Sequence, residues 1–249
     1  MAKMNESKPK KNVHEGHRER LRTRYKRCGF DDFAEHEVLE LLLFYSIPRA
    51  DTNPIAHNLL DHFGSLYAVM NASFDELCEV EGVGPSSASL IRTVADAARA
   101  AKLKELGSEP LVTADRLHLF ATEWFLGAAP HTAALLMLDK NRRVITVRKL
   151  AEDTLRLPDE YHEMLLHLCQ QMEAKYVVLM HNHIDGIMEP SGEDIMLTRE
   201  VFTYLADFGI TLLEHVIVHE LDCVQFLDLA MRREVSGFPL RETKLPPMI

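Results

Sequence analysis

Residues 181–197 read HNHIDGIMEPSGEDIML, directly after the apolar run KYVVLM at 175–180. Two histidines stand two apart, seven residues separate His183 from Ser191, and Asp194 comes three further on. At the end of a strand, positions i and i+2 project to one face, so His181 and His183 present two imidazoles side by side. The loop 184–190 turns the chain back, and a helix opening at Ser191 carries Asp194 in its first turn, one turn from the strand end. Two imidazoles and a carboxylate form the kind of three-ligand set that zinc takes at about 2.0–2.2 Å, with a fourth position left for water in catalytic sites. Ser191-x-x-Asp194 also fits a helix cap, which satisfies free N–H groups with no metal at all. For Asp194 alone capping is the commoner role. The conjunction of HxH, seven residues and SxxD behind a strand is much rarer than its parts.

Strands and helices alternate around this stretch. TAALLMLD (132–139) and RVITVRKL (143–150), joined by Lys140-Asn141-Arg142, form a hairpin pattern. An amphipathic helix is expected over 158–174, with Met164, Leu165, Leu168, Cys169 and Met172 on one side. A helix over 191–208 stops at Gly209, and ITLLEHVIVH (210–219) follows as a strand. That alternation predicts an α/β domain whose sheet ends at the motif.

Before 103–110 the pattern is helical. HEVLELLLFYS (36–46) ends at Ile47-Pro48; Asp51-Thr-Asn-Pro54 opens a helix over 55–63 that stops at Gly64. A helix over 73–80, the turn Gly82-Val-Gly84-Pro85-Ser86 and a helix over 87–106 have the layout of a helix–hairpin–helix. In that layout glycines let N–H groups at a helix start approach a DNA phosphate. Here the flanks Glu76, Glu79 and Glu81 are acidic, and Arg92 with a distant basic arm supplies the local positive charge. A purely structural helical domain is the alternative.

At 249 residues, 47% hydrophobic and 27% charged, the chain has the makeup of an ordinary globular protein of one or two domains. Cys28, Cys78, Cys169 and Cys223 are far apart and form no CxxC pair, which argues against a disulfide framework and a cysteine-rich zinc module and points to a reducing compartment. No apolar run approaches the ~18–20 residues of a bilayer span, and the first residues lack a signal-peptide core, so a cytoplasmic protein with no membrane partner is expected. Residues 1–29 hold ten Lys/Arg against three Glu, +7, which subtracted from the total of −10 leaves −17 for the remainder. Such an arm attracts nucleic acid, although solvated basic tails are common.

His181, Asn182, His183, Gly186, Pro190, Ser191 and Asp194 resemble the pattern H-N-H-P-S-G-x-x-x-P-S-x-x-D of the RadC-like bacterial branch of the JAMM (MPN+) zinc hydrolases. LLMLDKNRRVI (135–145) and LLEHVIV (212–218) are similar to strands of that family, and GHRERLRTRY (16–25) with the Gly82–Gly84 turn to its N-terminal domain. The resemblance covers nearly the whole chain. It implies a cytidine-deaminase-like α/β JAMM/MPN sheet with flanking helices at 107–232 and an all-α, helix-hairpin-helix-like domain at 13–106. A basic disordered tail at 1–12 and a C-terminal tail at 233–249 would flank them. It further implies Zn2+ on His181, His183 and Asp194, Ser191 as a hydrogen-bond donor beside it, and hydrolysis of a peptide or isopeptide substrate. The alternative function is a non-catalytic DNA- or protein-binding module that keeps its zinc and is linked to DNA repair.

The chain departs from the family where the general-base Glu is expected: counted back from Leu138-Asp139, Pro130-His131-Thr132 stands there. His131 either accepts the proton, since histidines titrate near pH ~6.5, or closes the site as a fourth ligand. Ile184-Asp185 replaces the usual Pro-Ser, and Arg148-Lys149 occupy positions that are often acidic in relatives. Glu152, Glu160 and Glu163 are the other candidates for the base.

Overall fold

In the computed structural model, which describes residues 13–150, 159–183, 186–227 and 230, the chain divides between Ala98 and Arg99 into two units. The first is helical: α1 (Val13–Cys28), α2 (Glu35–Leu43), α3 (Asn53–Phe63), α4 (Leu66–Asn71), α5 (Phe74–Glu79) and the first half of α6 (Pro85–Ser108). Two of its helices, α4 and α5, start at serines whose side chains take up free N–H groups. Ser65 accepts from the Ala68 amide at 3.1 Å. Ser73 Oγ accepts from the Glu76 amide, and the Glu76 carboxylate accepts in turn from the Ser73 amide at 2.8 Å. Leu39, Leu43, Leu59, Leu77 and Ile91 fill the centre, while Leu21 anchors α1 on Leu41 and Phe44.

The second unit is a five-stranded mixed sheet in the order β2-β1-β3-β4-β5, flanked by helices. Its strands are β1 (Ala133–Leu138), β2 (Val144–Lys149), β3 (Tyr176–Asn182), β4 (Thr211–His219) and β5 (Asp222–Gln225). Among the described strands only β3 and β4 run parallel, joined through α9 (Gly192–Asp207). The hairpin turn is held by Asp139, whose carboxylate accepts from the amides of Asn141 (2.7 Å) and Arg143 (2.9 Å). α9 and α8 (Asp159–Gln171) cover one face, where Leu135, Met137, Val177 and Leu179 meet Leu165, Cys169, Leu197 and Val201. α7 (Ala114–Phe125) covers the other, where Leu136, Val178 and Met180 meet Leu117, Phe120 and Phe125.

Three features differ from expectation. α7 lies in a stretch where no helix was anticipated; Thr113 caps it, accepting from Arg116 at 3.3 Å, and Leu117, Phe120, Ala121 and Phe125 give it a buried stripe. β5, at four residues, was too short to show a period. Met164 is 42% exposed, because the inward stripe of α8 is centred on Leu165 and Cys169, with Leu166 and Met172 at its margin. Among the described residues no helix is long and apolar enough to cross a membrane.

β4 carries a bulge that matters for the site. Val177 pairs with Leu212, but Val178 pairs with Glu214, so one residue is added to β4. Leu212 sits in the α9-side core, whereas Val216 and Val218 sit on the α7 side. The extra residue reverses the alternation of the rest of the strand, turning His215 and Ile217 toward α9.

In the turn before α6, Gly82 has φ 90°, and a Cβ there would lie 2.8 Å from Ile55 Cγ1; Gly84 has neither constraint. Gly82→Ala is therefore expected to lower unfolding stability by about 2 kcal/mol in denaturant titrations. Gly84→Ser, at the residue whose carbonyl accepts from Ser87 and Ala88, should leave stability within about 0.5 kcal/mol of wild type. Equal effects would contradict this account of the turn.

Candidate metal centre

His181 continues the series Val177, Leu179 on β3 and so points toward α9, where Asp194 sits in the first turn. His181 Nε2 lies 3.0 Å from His183 Nε2 and 3.2 Å from Asp194 Oδ1. His183 Nε2 lies 3.9 Å from Asp194 Oδ2. Tetrahedral ligands at ~2.0–2.1 Å from one ion stand roughly 3.3 Å apart, close to these spacings. Among the described residues this trio is the group of His, Cys, Asp or Glu side chains able to hold a metal ion.

Hydrogen bonds fix which atoms carry protons. The Thr198 hydroxyl donates to the Asp194 carbonyl at 2.6 Å. Its one proton is thereby used, so at 2.7 Å it must accept from His215 Nδ1–H. His215 Nε2 is then a lone pair, and it accepts from His181 Nδ1–H at 3.0 Å. His181 Nε2 is left bare. Independently, His183 Nδ1 donates to the Ile187 carbonyl at 2.6 Å, which leaves His183 Nε2 bare as well. Asp194 Oδ1 is buried with no hydrogen bond. Three electron pairs converge with no proton between them, an arrangement that a cation relieves.

Burial supports the neutral forms. It pushes His181 down to about 4, with Asp194 opposing the shift and His183 adding to it. His215 is held well below the ordinary histidine range by burial, then by His181 and His183. Cys169 and Cys223 offer no competing nucleophile: burial raises Cys169 to about 11, and burial with Asp222 and Glu214 raises Cys223 to about 12.

Asp194 serves as cap and as candidate ligand at once, because its two oxygens divide the tasks. Oδ2 accepts from the Ser191 amide and from the Ser191 hydroxyl, both at 2.7 Å, and the Asp194 amide returns a bond to Ser191 Oγ at 3.1 Å. Oδ1 is left for His181. Ser191 therefore touches the site through the carboxylate.

His131 is not one of the clustered residues. It lies exposed in the turn before β1, with φ 54°. Asn182 holds that turn: its Oδ1 accepts from the Thr132 amide at 2.7 Å, and its Nδ2 donates to the Ala129 carbonyl at 3.0 Å. Thr132 thus sits beside Asn182, and His131 follows on toward the His183 end of β3. Glu163 is exposed on α8; Glu152 and the side chain of Glu160 lie outside the described residues. Sequence reasoning missed His215 and Thr198. Thr198 stands one helical turn beyond Asp194, a visible signal, whereas simple alternation along β4 places His215 on the wrong face.

Residues 117–231 match the family model of the RadC-like JAB domain, and residues 53–103 match that of a helix-hairpin-helix motif. Over 222 residues the chain is 33% identical to the UPF0758 protein FN0909 of Fusobacterium nucleatum subsp. nucleatum, across 86% of this chain and 96% of that protein.

A pH dependence follows for the metal-free protein. His181 and His215 bind protons more weakly folded than unfolded, so the stability they confer is present above pH ~6.5 and is lost as pH falls below it, for His181 down to about 4. Each contributes a slope of up to roughly 1.4 kcal/mol per pH unit in that window. Denaturant titrations between pH 7 and 4.5 should show this fall, and added zinc should oppose it. A flat profile would contradict the neutral, buried assignment.

Proposed function

The chain belongs to the RadC-like JAB family, and from that premise we propose that it is a zinc-dependent hydrolase of amide or isopeptide bonds, with His181, His183 and Asp194 as metal ligands. The observation that carries this reading is the convergence of His181 Nε2, His183 Nε2 and the unbonded Asp194 Oδ1. A bound zinc ion supplies Lewis-acid polarisation of a substrate carbonyl and lowers the pKa of coordinated water toward ~7.

The chain's own residues have these roles. Thr198 and His215 hold His181 in the tautomer that bares Nε2, and the Ile187 carbonyl does the same for His183. Ser191 fixes the Asp194 carboxylate, and becomes a donor to substrate only by giving up its bond to Oδ2. His131, carried on the Asn182-clamped turn, takes the place of the family's glutamate as proton acceptor for the attacking water. General-base assistance of this kind is typically worth ~10²–10⁴-fold.

Elemental analysis of the purified protein should find about one zinc per chain, and almost none in His183→Ala or Asp194→Ala. Thr198→Val keeps the volume and removes the hydroxyl, and should weaken zinc binding by ~10–100-fold. On a panel of amide and isopeptide substrates, His131→Glu should raise turnover, while His131→Ala should retain its zinc. Zinc-free wild type would overturn the metal assignment. Loss of zinc in His131→Ala would make His131 a ligand and overturn the open, hydrolytic site.

A further inference from the structure

The first unit carries a groove of about 960 Å³ along α1, lined by Arg18, Arg20, Arg22, Arg24 and Arg27, with Phe44 and Pro48 from the α2 side. Among the described residues, Glu19 is the carboxylate in its lining. Arg24 is paired with Glu37 and lies 4.0 Å from the Phe33 ring centre, so its charge is met locally. Arg18 donates to the carbonyls of Ile47 (2.6 Å) and Pro48 (3.0 Å) and covers the Phe44 ring at 4.6 Å. These contacts orient Arg18, whose charge also faces the carboxylates of Asp51 and Glu40. Arg22 lies over the same ring at 5.6 Å, and Arg20 and Arg27 are exposed.

So many guanidinium groups in one groove of an otherwise acidic chain repel one another unless an anion is present. Guanidinium is suited to phosphate, which it grips with two parallel N–H bonds. From Arg18 to Arg27 the helix advances ~13 Å, the axial span of about four successive phosphates on one DNA strand. A lipid surface fits less well, because Leu21, the one aliphatic residue of the Arg18–Arg27 stretch, is buried in the unit's core and leaves no apolar stripe to enter a bilayer.

The groove also adjoins the hairpin. Arg18 binds Ile47 and Pro48, and the next residue back, Ser46, meets Ser87 in the first turn of α6, Oγ to Oγ, at 3.0 Å. One short segment therefore ties the arginines of α1 to the helix that follows Gly82-Val-Gly84. Flanked by Glu76, Glu79 and Glu81, that turn has little positive charge of its own.

Independently of the hydrolase chemistry, we propose that the α1 groove is the main nucleic-acid-binding surface of this unit, with Arg20, Arg22 and Arg27 on the phosphate backbone and the hairpin turn as an adjoining contact. Binding of the full chain to labelled duplex and single-stranded oligonucleotides, followed by fluorescence anisotropy across a salt series, tests it. Affinity should fall steeply with salt. Arg20→Ala/Arg22→Ala/Arg27→Ala should weaken binding at low salt at least tenfold and reduce the duplex log–log slope by roughly 2–3, near 0.9 per lost contact. Should the triple variant melt early, Arg20→Gln/Arg27→Gln, confined to exposed side chains, decides the matter with a slope reduced by about 2. The proposal fails if the wild type binds neither oligonucleotide at low salt, or if the arginine variants bind as well as wild type. It fails equally if deleting residues 1–11 alone abolishes binding, or if phosphatidylserine vesicles bind through these arginines while oligonucleotides do not.

Discussion

A single hydroxyl proton, on Thr198, sets the chemistry of the buried end of the sheet. A carbonyl oxygen can only accept, so the 2.6 Å contact with Asp194 takes that proton, and every later donor and acceptor follows from it. His215 must donate toward Thr198, His181 must donate toward His215, and the outer nitrogen of His181 is stripped of hydrogen. The chain of bonds starts on the backbone of the residue whose side chain it finally faces. Asp194 thereby governs both ends: its carbonyl orients the relay, and its Oδ1 meets the lone pair the relay exposes. Leaving such atoms buried and unpartnered costs on the order of 1–3 kcal/mol each, a strain that a bound cation removes.

The fold supplies the positions through strand parity. β3 presents His181 to α9 by plain alternation, and the parallel connection through α9 returns Asp194 to the same strand end. β4 reaches the same face only through its bulge, without which His215 would face α7. Glu214 at the bulge is itself occupied, its carboxylate accepting from the Leu227 amide at 2.6 Å. The irregularity is thus braced from the chain beyond β5.

Much of this was legible in the sequence. The HxH pair and the SxxD start each follow a local period, and local periods survive folding, so the structure brings His181, His183 and Asp194 together as that pattern leads one to expect, with Ser191 bonded to the Asp194 carboxylate. Capping and metal binding by Asp194 stood as alternatives because a sequence does not distinguish Oδ1 from Oδ2; in space they are compatible. His215 was hidden because a one-residue bulge leaves no mark on an apolar strand such as ITLLEHVIVH. α7 was passed over although Thr113 and its apolar stripe mark a helix. For the basic arm, nucleic-acid attraction and a solvated tail stood as alternatives, and only the packing of α1 on Phe44 and Pro48 gives its arginines a concave surface. His131 is the remaining departure: its position follows from counting along β1, while the turn that carries it is held by Asn182, 50 residues on from Thr132.

X-ray absorption spectroscopy at the zinc edge, on the purified full chain, bears most directly on the central claim. The bared nitrogens of His181 and His183 and the free oxygen of Asp194 predict a shell of light atoms at ~2.0–2.2 Å, with the multiple-scattering signature of two imidazoles and no sulfur. A shell containing sulfur near ~2.3 Å, or three imidazoles, or a spectrum unchanged by Asp194→Ala, would contradict it.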